Sequence, residues 1–193
     1  MSAAETVLVL RACEPDGGSR NGFRWPRSGP VEAPDWSPEP VCGRGLHGWL
    51  WGEGDPSVAG RTDEDALWLI VEVVAAEVVD LGRKVKFPRG VVVAAGSRAE
   101  IVAELCRRAP GRAVLWATLT GGDDSTLTGG DRSTLTGGDG STLTGGYGSI
   151  LLGRWWDGAC RRIATAYVGE DGIEPGVAYR CEAGRWVRVG GGS

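Results

Sequence analysis

Residues 117–148 read ATLTGGDD STLTGGDR STLTGGDG STLTGGYG, which is four consecutive copies of one eight-residue unit, called an octad below. A fifth, degenerate copy follows as Ser149-Ile-Leu-Leu-Gly-Arg-Trp-Trp156. The first half of each octad favours an extended strand, because threonine is a good strand former and alternates with other residues there. The second half, Gly-Gly-Asp-x, is typical of a turn, since glycine accepts positive φ angles and aspartate caps local backbone. A fixed period of this kind indicates stacked structural units.

One octad is too short to close a coil, because eight residues leave no interior room for side chains. We therefore expect two octads per coil, stacked about 4.8 Å apart as a β-solenoid. Inward positions should be filled by Leu119, Leu127, Leu135 and Leu143, with Ser125, Ser133 and Ser141 as small partners. The outward threonines should form ladders, and they are the predicted binding surface: Thr118, Thr120, Thr126, Thr128, Thr134, Thr136, Thr142 and Thr144.

The octad Ser141-Thr-Leu-Thr-Gly-Gly-Tyr-Gly148 and its upstream copies resemble the repeat of bacterial ice nucleation proteins, Ala-Gly-Tyr-Gly-Ser-Thr-x-Thr. The resemblance covers residues 117–152 and implies a solenoid with two octads per coil. In this chain glycine replaces the alanine, and aspartate replaces tyrosine in three of four turns. The family forms a large ice-templating surface from many coils, whereas this array is short. The layout also resembles uncharacterised actinobacterial or phage proteins with short arrays, which implies no activity.

The paired threonines allow more than one interpretation. Threonines two residues apart on a strand are about 6.7 Å from each other, and flat arrays with such spacings can order water as ice does. The simpler interpretation, which we favour, is that threonine is common on any solvated β-surface. A calcium site in the Gly-Gly-Asp turns is a further hypothesis, but a calcium-binding β-roll needs a period of nine. We therefore favour neither ice nor calcium.

Composition and charge argue against several classes of protein. The 193 residues have a net charge of −4 and no basic block, so we expect no nucleic-acid partner. The longest apolar stretch, residues 66–79, is interrupted by Glu72 and Glu77, so we expect no membrane partner. The N-terminus lacks a basic region followed by an apolar run, which predicts no signal peptide and a cytoplasmic, or phage-encoded intracellular, protein.

Five cysteines without Cys-x-x-Cys spacing predict reduced thiols rather than disulfides. Cys13, Cys42 and His47 are the residue types that bind zinc, but they lack the regular spacing of a zinc finger. We therefore expect ordinary core cysteines, no metal and no cofactor.

Three domains are predicted, and the fold class is mainly β. Residues 1–112 should form an α+β N-terminal cap, residues 113–152 the solenoid, and residues 153–193 a β-hairpin cap. Asp157-Gly158 and Glu182-Ala-Gly184 mark the hairpin turns of the last part.

The N-terminal part has one clear helix, at 98–108. Ser97 and Glu100 form a capping box at its start, and Pro110-Gly111 ends it. Residues 13–40 are rich in Gly, Pro and Trp and should form an irregular loop. Strands are predicted at 6–12, at 67–76 continued by 77–82, at 84–87 and at 91–95.

The segment from Cys42 to Asp55 is the most site-like outside the octads, because it combines open glycine backbone with the only histidine. His47 and Arg44 are the catalytic candidates, with His47 as an acid-base or ligand-contacting group. A possible aromatic groove is formed by Trp25, Trp36, Trp49 and Trp51. The alternative is structural: a tight turn in which the histidine bonds to backbone and the tryptophans fill the core.

The preferred function is a non-catalytic structural or interaction protein, in which the solenoid is a rigid spacer. It would bind a protein partner or self-associate as a homodimer through the solenoid. The first alternative is a small-ligand-binding protein or an ADP-ribosyltransferase-like enzyme with a site around His47. The second alternative is a weak ice-binding protein. No triad, metal box or phosphate loop is present to decide among these.

Overall fold

The computed structural model describes residues 4–19 and 22–190. Over these residues the chain is mainly β, with one α-helix and several sheets, none of them closed. It divides into two compact units, Met1–Ala109 and Pro110–Ser193. No helix in the described ranges is long and apolar enough to cross a membrane. The further division of the second unit into a solenoid and a cap stays a prediction.

The first unit contains, within its described residues, one antiparallel sheet in the order β2-β7-β4-β1-β3-β6-β5. Two neighbouring eight-residue strands, Thr6–Cys13 and Leu67–Val74, pair along their full length, from Thr6↔Val74 to Cys13↔Leu67. Both are apolar and largely buried, so they form the centre of the sheet. The strands are β1 (Thr6–Cys13), β2 (Gly29–Glu32), β3 (Leu46–Leu50), β4 (Leu67–Val74), β5 (Val79–Asp80), β6 (Val85–Phe87) and β7 (Arg89–Gly96).

The helix α1 (Arg98–Arg108) has the predicted bounds and packs on β4 and β7. Its capping box is confirmed: the Ser97 hydroxyl accepts from the Glu100 N–H, and the Glu100 carboxylate accepts from the Ser97 N–H. Ile101, Val102 and Leu105 are buried, as the helical spacing of these apolar residues requires.

Two segments of the first unit differ from the prediction. The strand expected to continue through 77–82 ends at Val74, where a 3-10 turn, Ala75–Glu77, separates it from β5. The loop predicted at 13–40 contains the short strand β2. Pro30 is tolerated in β2 because this strand lies at the sheet edge and pairs with β7 alone.

The second unit contains two four-stranded sheets in the part of the chain described up to residue 190. One has the order β13-β12-β10-β8 and is called sheet 1; the other has the order β15-β14-β11-β9 and is called sheet 2. The strands are β8 (Thr118–Thr120), β9 (Thr126–Thr128), β10 (Thr134–Gly137), β11 (Thr142–Thr144), β12 (Ile150–Trp156), β13 (Arg161–Tyr167), β14 (Ala178–Glu182) and β15 (Arg185–Arg188).

Alternate octads pair with each other, in parallel and in register. In sheet 1, Thr134 is opposite both Thr118 and Ile150. In sheet 2, Thr142 is opposite Thr126. Each octad strand therefore lies beside the strand of the octad after next, and consecutive octads contribute to different sheets.

The interior between the two sheets is apolar, with serines at its margins. Leu135, Leu143 and Leu151 are at most 1% exposed, whereas Leu119 and Leu127, in the first strand of each sheet, are partly exposed. The buried hydroxyl-bearing residues Ser133, Ser141 and Ser149 follow the turns.

An antiparallel strand follows the parallel ones in each sheet. β13 pairs with β12 across the turn at Asp157-Gly158, and β14 pairs with β11. The β14–β15 hairpin completes sheet 2, and Tyr179 places its ring in the core with Leu143 opposite. The two predicted C-terminal hairpins are thus present.

Candidate functional site

Two parts of the molecule correspond to the predicted sites, and the threonine surface is the first. In sheet 1, Thr118, Thr120, Thr134 and Thr136 form a two-by-two grid, the first threonine face. In sheet 2, Thr126, Thr128, Thr142 and Thr144 form the second threonine face. Neighbours in each grid are about 6.7 Å apart along a strand and about 4.8 Å apart between strands. The threonines on β8 and Thr126 are exposed, and the others are half-buried.

The first threonine face continues into apolar side chains on the same sheet. Ile150 and Leu152 follow Thr134 and Thr136 in register, and Tyr167 and Thr165 follow them on β13. Ile163 is 63% exposed, Trp156 56% and Tyr167 52%. These side chains, Ile150, Leu152, Trp156, Ile163 and Tyr167, are called the apolar margin. An exposed apolar cluster of this kind is typical of an interaction surface.

The turn aspartates hold neighbouring turns together through backbone hydrogen bonds. The Asp123 Oδ1 accepts from the Asp139 N–H at 3.0 Å, and the Asp131 Oδ1 accepts from the Tyr147 N–H at 2.8 Å. Arg161 forms an ion pair with Asp139 at 3.2 Å. Within residues 4–19 and 22–190, no group of three or more His, Cys, Asp or Glu is placed to hold a metal ion.

The second predicted site lies around His47, which is half-buried on β3. Its Nε2 accepts from the Gly43 N–H at 3.4 Å. Burial, the largest cause, and the positive charges of Lys84, Arg11 and Lys86 together lower the His47 pKa to about 4. The imidazole is therefore neutral at neutral pH.

The predicted aromatic groove is dispersed over several environments. Trp49 is buried, stacks on Trp68 with a centroid distance of 6.2 Å, and donates its indole N–H to the Asp55 carbonyl at 3.0 Å. The Trp36 ring lies 5.5 Å from the Lys86 Nζ. Trp51 has a positive φ of 55°. Trp25 lines a cavity, but the other three tryptophans do not. Their role in ligand binding stays a prediction.

That cavity has a volume of about 540 Å³ and includes both catalytic candidates, His47 and Arg44. Arg44 is exposed, with a positive φ of 47° between two glycines. Sequence reasoning missed the other cations of the lining, Arg11, Arg61 and Lys84. They are distant in sequence, and the only local signal was an arginine inside the apolar strand β1.

The two cysteines considered for a zinc site, Cys13 and Cys42, differ in burial. Cys13 is buried, its pKa is raised to about 11 by desolvation, and its thiol donates to the Leu67 carbonyl at 3.4 Å. Cys42 is exposed. The five cysteines are free thiols.

Comparison with known proteins supports the resemblance of the repeat segment to ice nucleation proteins. The chain is 33% identical to an ice nucleation protein of Xanthomonas campestris pv. translucens over 108 residues, which are 55% of this chain and 7% of the relative. It is 38% identical to an ice nucleation protein of Pseudomonas syringae over 96 residues, which are 49% of this chain and 8% of the relative. The chain thus spans less than a tenth of the relatives it matches. No family model and no solved structure matches it.

Proposed function

We propose that the octads form a short β-solenoid with sixteen-residue coils, and that this solenoid is a rigid, non-catalytic structural and interaction module. The parallel pairing of alternate octads supports the proposal most directly, because Thr134 lies opposite Thr118 and Thr142 opposite Thr126. Each coil then contributes one strand to each sheet and shares its hydrogen bonds with the next coil. A spacer of this kind keeps a fixed length and presents flat faces.

The partner that the surface favours is a second copy of the chain. β13 is the edge strand of sheet 1, and it is seven residues long without a proline. The Val168 N–H donates to the Ser149 carbonyl at 2.9 Å. This hydrogen bond shows that the N–H and C=O groups of Val168 face β12. Successive residues of an antiparallel strand direct these groups to opposite sides, so those of Ile163, Thr165 and Tyr167 point away from β12. Such an edge is a template for strand pairing.

Antiparallel pairing of β13 with its own copy about Thr165 would be self-complementary. It would place Ile163 of each copy opposite Tyr167 of the other and bury part of the apolar margin twice. It would also bring Arg161 opposite Gly169 of the second copy, next to the acidic Glu170. The charge pattern and the exposed apolar side chains therefore favour the same register.

Light scattering coupled to size-exclusion chromatography tests this homodimer. The wild-type chain should elute with the mass of a dimer, and Ile163→Lys with Tyr167→Lys should give a monomer of unchanged circular dichroism. Val187→Lys is the matched control, because Val187 is 42% exposed on β15, the edge strand of sheet 2. A wild-type monomer at high micromolar concentration would reject self-association, and dimer loss in the Val187 variant would place the interface elsewhere.

The second candidate function is interaction with ice. The similarity to proteins named ice nucleation proteins, together with the two threonine grids, supports it. Each grid has only two rungs, so any effect should be weak. This candidate requires faceted ice crystals that become round in Thr134→Lys with Thr136→Lys, whereas Arg107→Gln on α1 should leave them unchanged. Round crystals and freezing temperatures equal to buffer in the wild type would reject it.

The enzyme alternative around His47 has less support from the geometry. A histidine with a pKa lowered to about 4 is a poor general base at neutral pH, and its Nε2 already accepts the Gly43 N–H. An ADP-ribosyltransferase-like activity stays a prediction, and loss of any such activity in His47→Ala would test it.

A further inference from the structure

The cavity of the first unit, which the solenoid proposal does not use, has the dimensions of a small-molecule site. Its volume of about 540 Å³ lies within the range of roughly 300–1,000 Å³ that is usual for ligand pockets. It lies where β1 ends and β3 begins, and the 42–47 segment forms one of its walls. Phe23 and Trp25, whose rings meet edge to face at 5.6 Å, supply aromatic surface to another part of the lining.

The described residues of the lining have an excess of positive charge. Arg11, Arg44, Arg61 and Lys84 are cationic, and Glu14 and Asp35 are the acidic members. This local excess is opposite to the net charge of the whole chain, which is −4. A cleft with one sign of charge concentrates ligands of the opposite sign, so the cavity favours anions.

Two of the four cations are already engaged by neighbours. Arg61 forms an ion pair with Glu14 and another with Asp63, the latter at 2.9 Å. The Arg11 guanidinium lies 5.4 Å from the Trp25 ring centroid and donates to the His47 carbonyl at 3.3 Å. These contacts fix both side chains in the wall of the cavity.

The other two cations, Arg44 and Lys84, have no such engagement. Neither side chain forms a hydrogen bond or an ion pair with any residue in the ranges 4–19 and 22–190. Lys84 is half-buried, and no carboxylate of the described residues pairs with its ammonium group. Burial is the largest cause of the depressed His47 pKa, and the positive charges of Lys84 and Arg11 lower it in the same direction.

We infer that this cavity binds a small organic phosphate monoester, whose phosphate contacts Arg44 and Lys84 and whose body lies against the Phe23–Trp25 wall. Arginine presents a planar fork that matches phosphate oxygens, and lysine supplies a mobile point charge. The neutral His47 adds no charge but offers a polar ring edge beside the phosphate. The cavity volume accommodates a ligand of about mononucleotide size.

Isothermal titration calorimetry on the full chain tests the inference with matched pairs of probes: AMP against adenosine, UMP against uridine and ribose 5-phosphate against ribose. At least one phosphate should bind, and any phosphate that binds should do so at least about tenfold more tightly than its dephosphorylated partner. Arg44→Gln and Lys84→Gln should each weaken that binding about tenfold, and the double variant should abolish it. Arg107→Gln, an exposed arginine of α1, is the control and should bind as the wild type does.

Equal affinity for phosphorylated and dephosphorylated probes, or no binding of any phosphate, would overturn the inference. Unchanged binding in the Arg44→Gln and Lys84→Gln variants would also overturn it, because the phosphate would then lie elsewhere. Neither substitution removes a side-chain hydrogen bond or ion pair within the described residues, so thermal unfolding should match the wild type. Inorganic phosphate as a fourth probe should compete with the organic phosphates.

Discussion

The side-chain hydroxyl of Ser149 accepts a hydrogen bond from the backbone N–H of Ser133 at 3.0 Å. The same hydroxyl donates to the Gly130 carbonyl at 3.0 Å. Two octads earlier in the chain, the Ser133 hydroxyl accepts from the Ala117 N–H at 3.0 Å and donates to the Val114 carbonyl at 3.3 Å. Each of these serines therefore satisfies two backbone groups that lie about two octads earlier in the chain. Alanine suffices at position 117, because no octad precedes it whose backbone groups would need a serine hydroxyl there.

Replacing the last serine of this series should destabilise the second unit. In Ser149→Ala the Ser133 N–H loses its acceptor, and because both residues are at most 1% exposed, water cannot replace it. We expect a cost of about 1–3 kcal/mol and faster hydrogen exchange at the Ser133 amide. Thr118→Ala, at an exposed position of an edge strand, should cost less than about 0.5 kcal/mol. Equal unfolding midpoints for both variants would contradict this role of the serines.

The second glycine of an octad should be indispensable only where an earlier stretch of backbone lies behind it, whether another octad or, at Gly130, residues 113–115. A Cβ at Gly146 would lie 2.3 Å from the Asp131 Oδ1 and 2.4 Å from the Asp131 nitrogen, whereas a Cβ at Gly122 meets nothing within 4 Å. Gly146→Ala should therefore cost about 1–3 kcal/mol. Gly122→Ala should be neutral or slightly stabilising, because it reduces the entropy of the unfolded chain. Thermal unfolding of the two variants measures the difference, and similar melting temperatures would contradict it.

The octads could be predicted from sequence because their pattern is local and repeated. Alternation put Leu135 inside and Thr134 outside, and the same alternation fixes which side of the strand faces the core. The α1 boundaries were equally predictable, since Ser97, Glu100 and the following Pro110 are direct chemical signals.

The cavity and the details of the first sheet could not be predicted in this way. Arg11 and Lys84 are brought to one place by the pairing of β1, β3 and β6, which no local pattern encodes. The break after Val74 was missed because Val78 and Val79 resume the β-branched pattern just after Ala75–Glu77. The Gly, Pro and Trp content of residues 13–40 predicted a loop without strands, but β2 lies at the sheet edge, where Pro30 is tolerated.

His47 is the only histidine in the sequence, so its titration can be followed without signals from another imidazole. Its folded pKa, lowered to about 4 from the ordinary 6.5, means that the unfolded chain binds more protons between these values. His47 should therefore contribute stability that is fully present above pH 6.5 and lost as the pH falls toward 4. Carboxylates titrate in the same range, so the stability of His47→Gln is the reference at each pH.

NMR titration of the His47 ring measures the same effect directly. Lys84→Gln removes the largest electrostatic contribution to the lowering, so the His47 pKa should rise in that variant. An exposed charge change far from the ring, Arg107→Gln, should leave it unchanged. A wild-type His47 pKa near 6.5 would contradict the burial of the ring.

The buried charge of Lys86 should be dispensable for stability, whereas its aliphatic stem should not. Lys86 is 0% exposed, donates to the Val41 carbonyl at 3.0 Å and lies under the Trp36 ring. Lys86→Met keeps the stem and removes a charge that is costly to bury, so it should be neutral or stabilising. Lys86→Ala leaves an unfilled volume and should cost about 2–4 kcal/mol. Urea denaturation separates these outcomes, and a Met variant as unstable as the Ala variant would mean that the ammonium group itself holds the 36–45 segment in place.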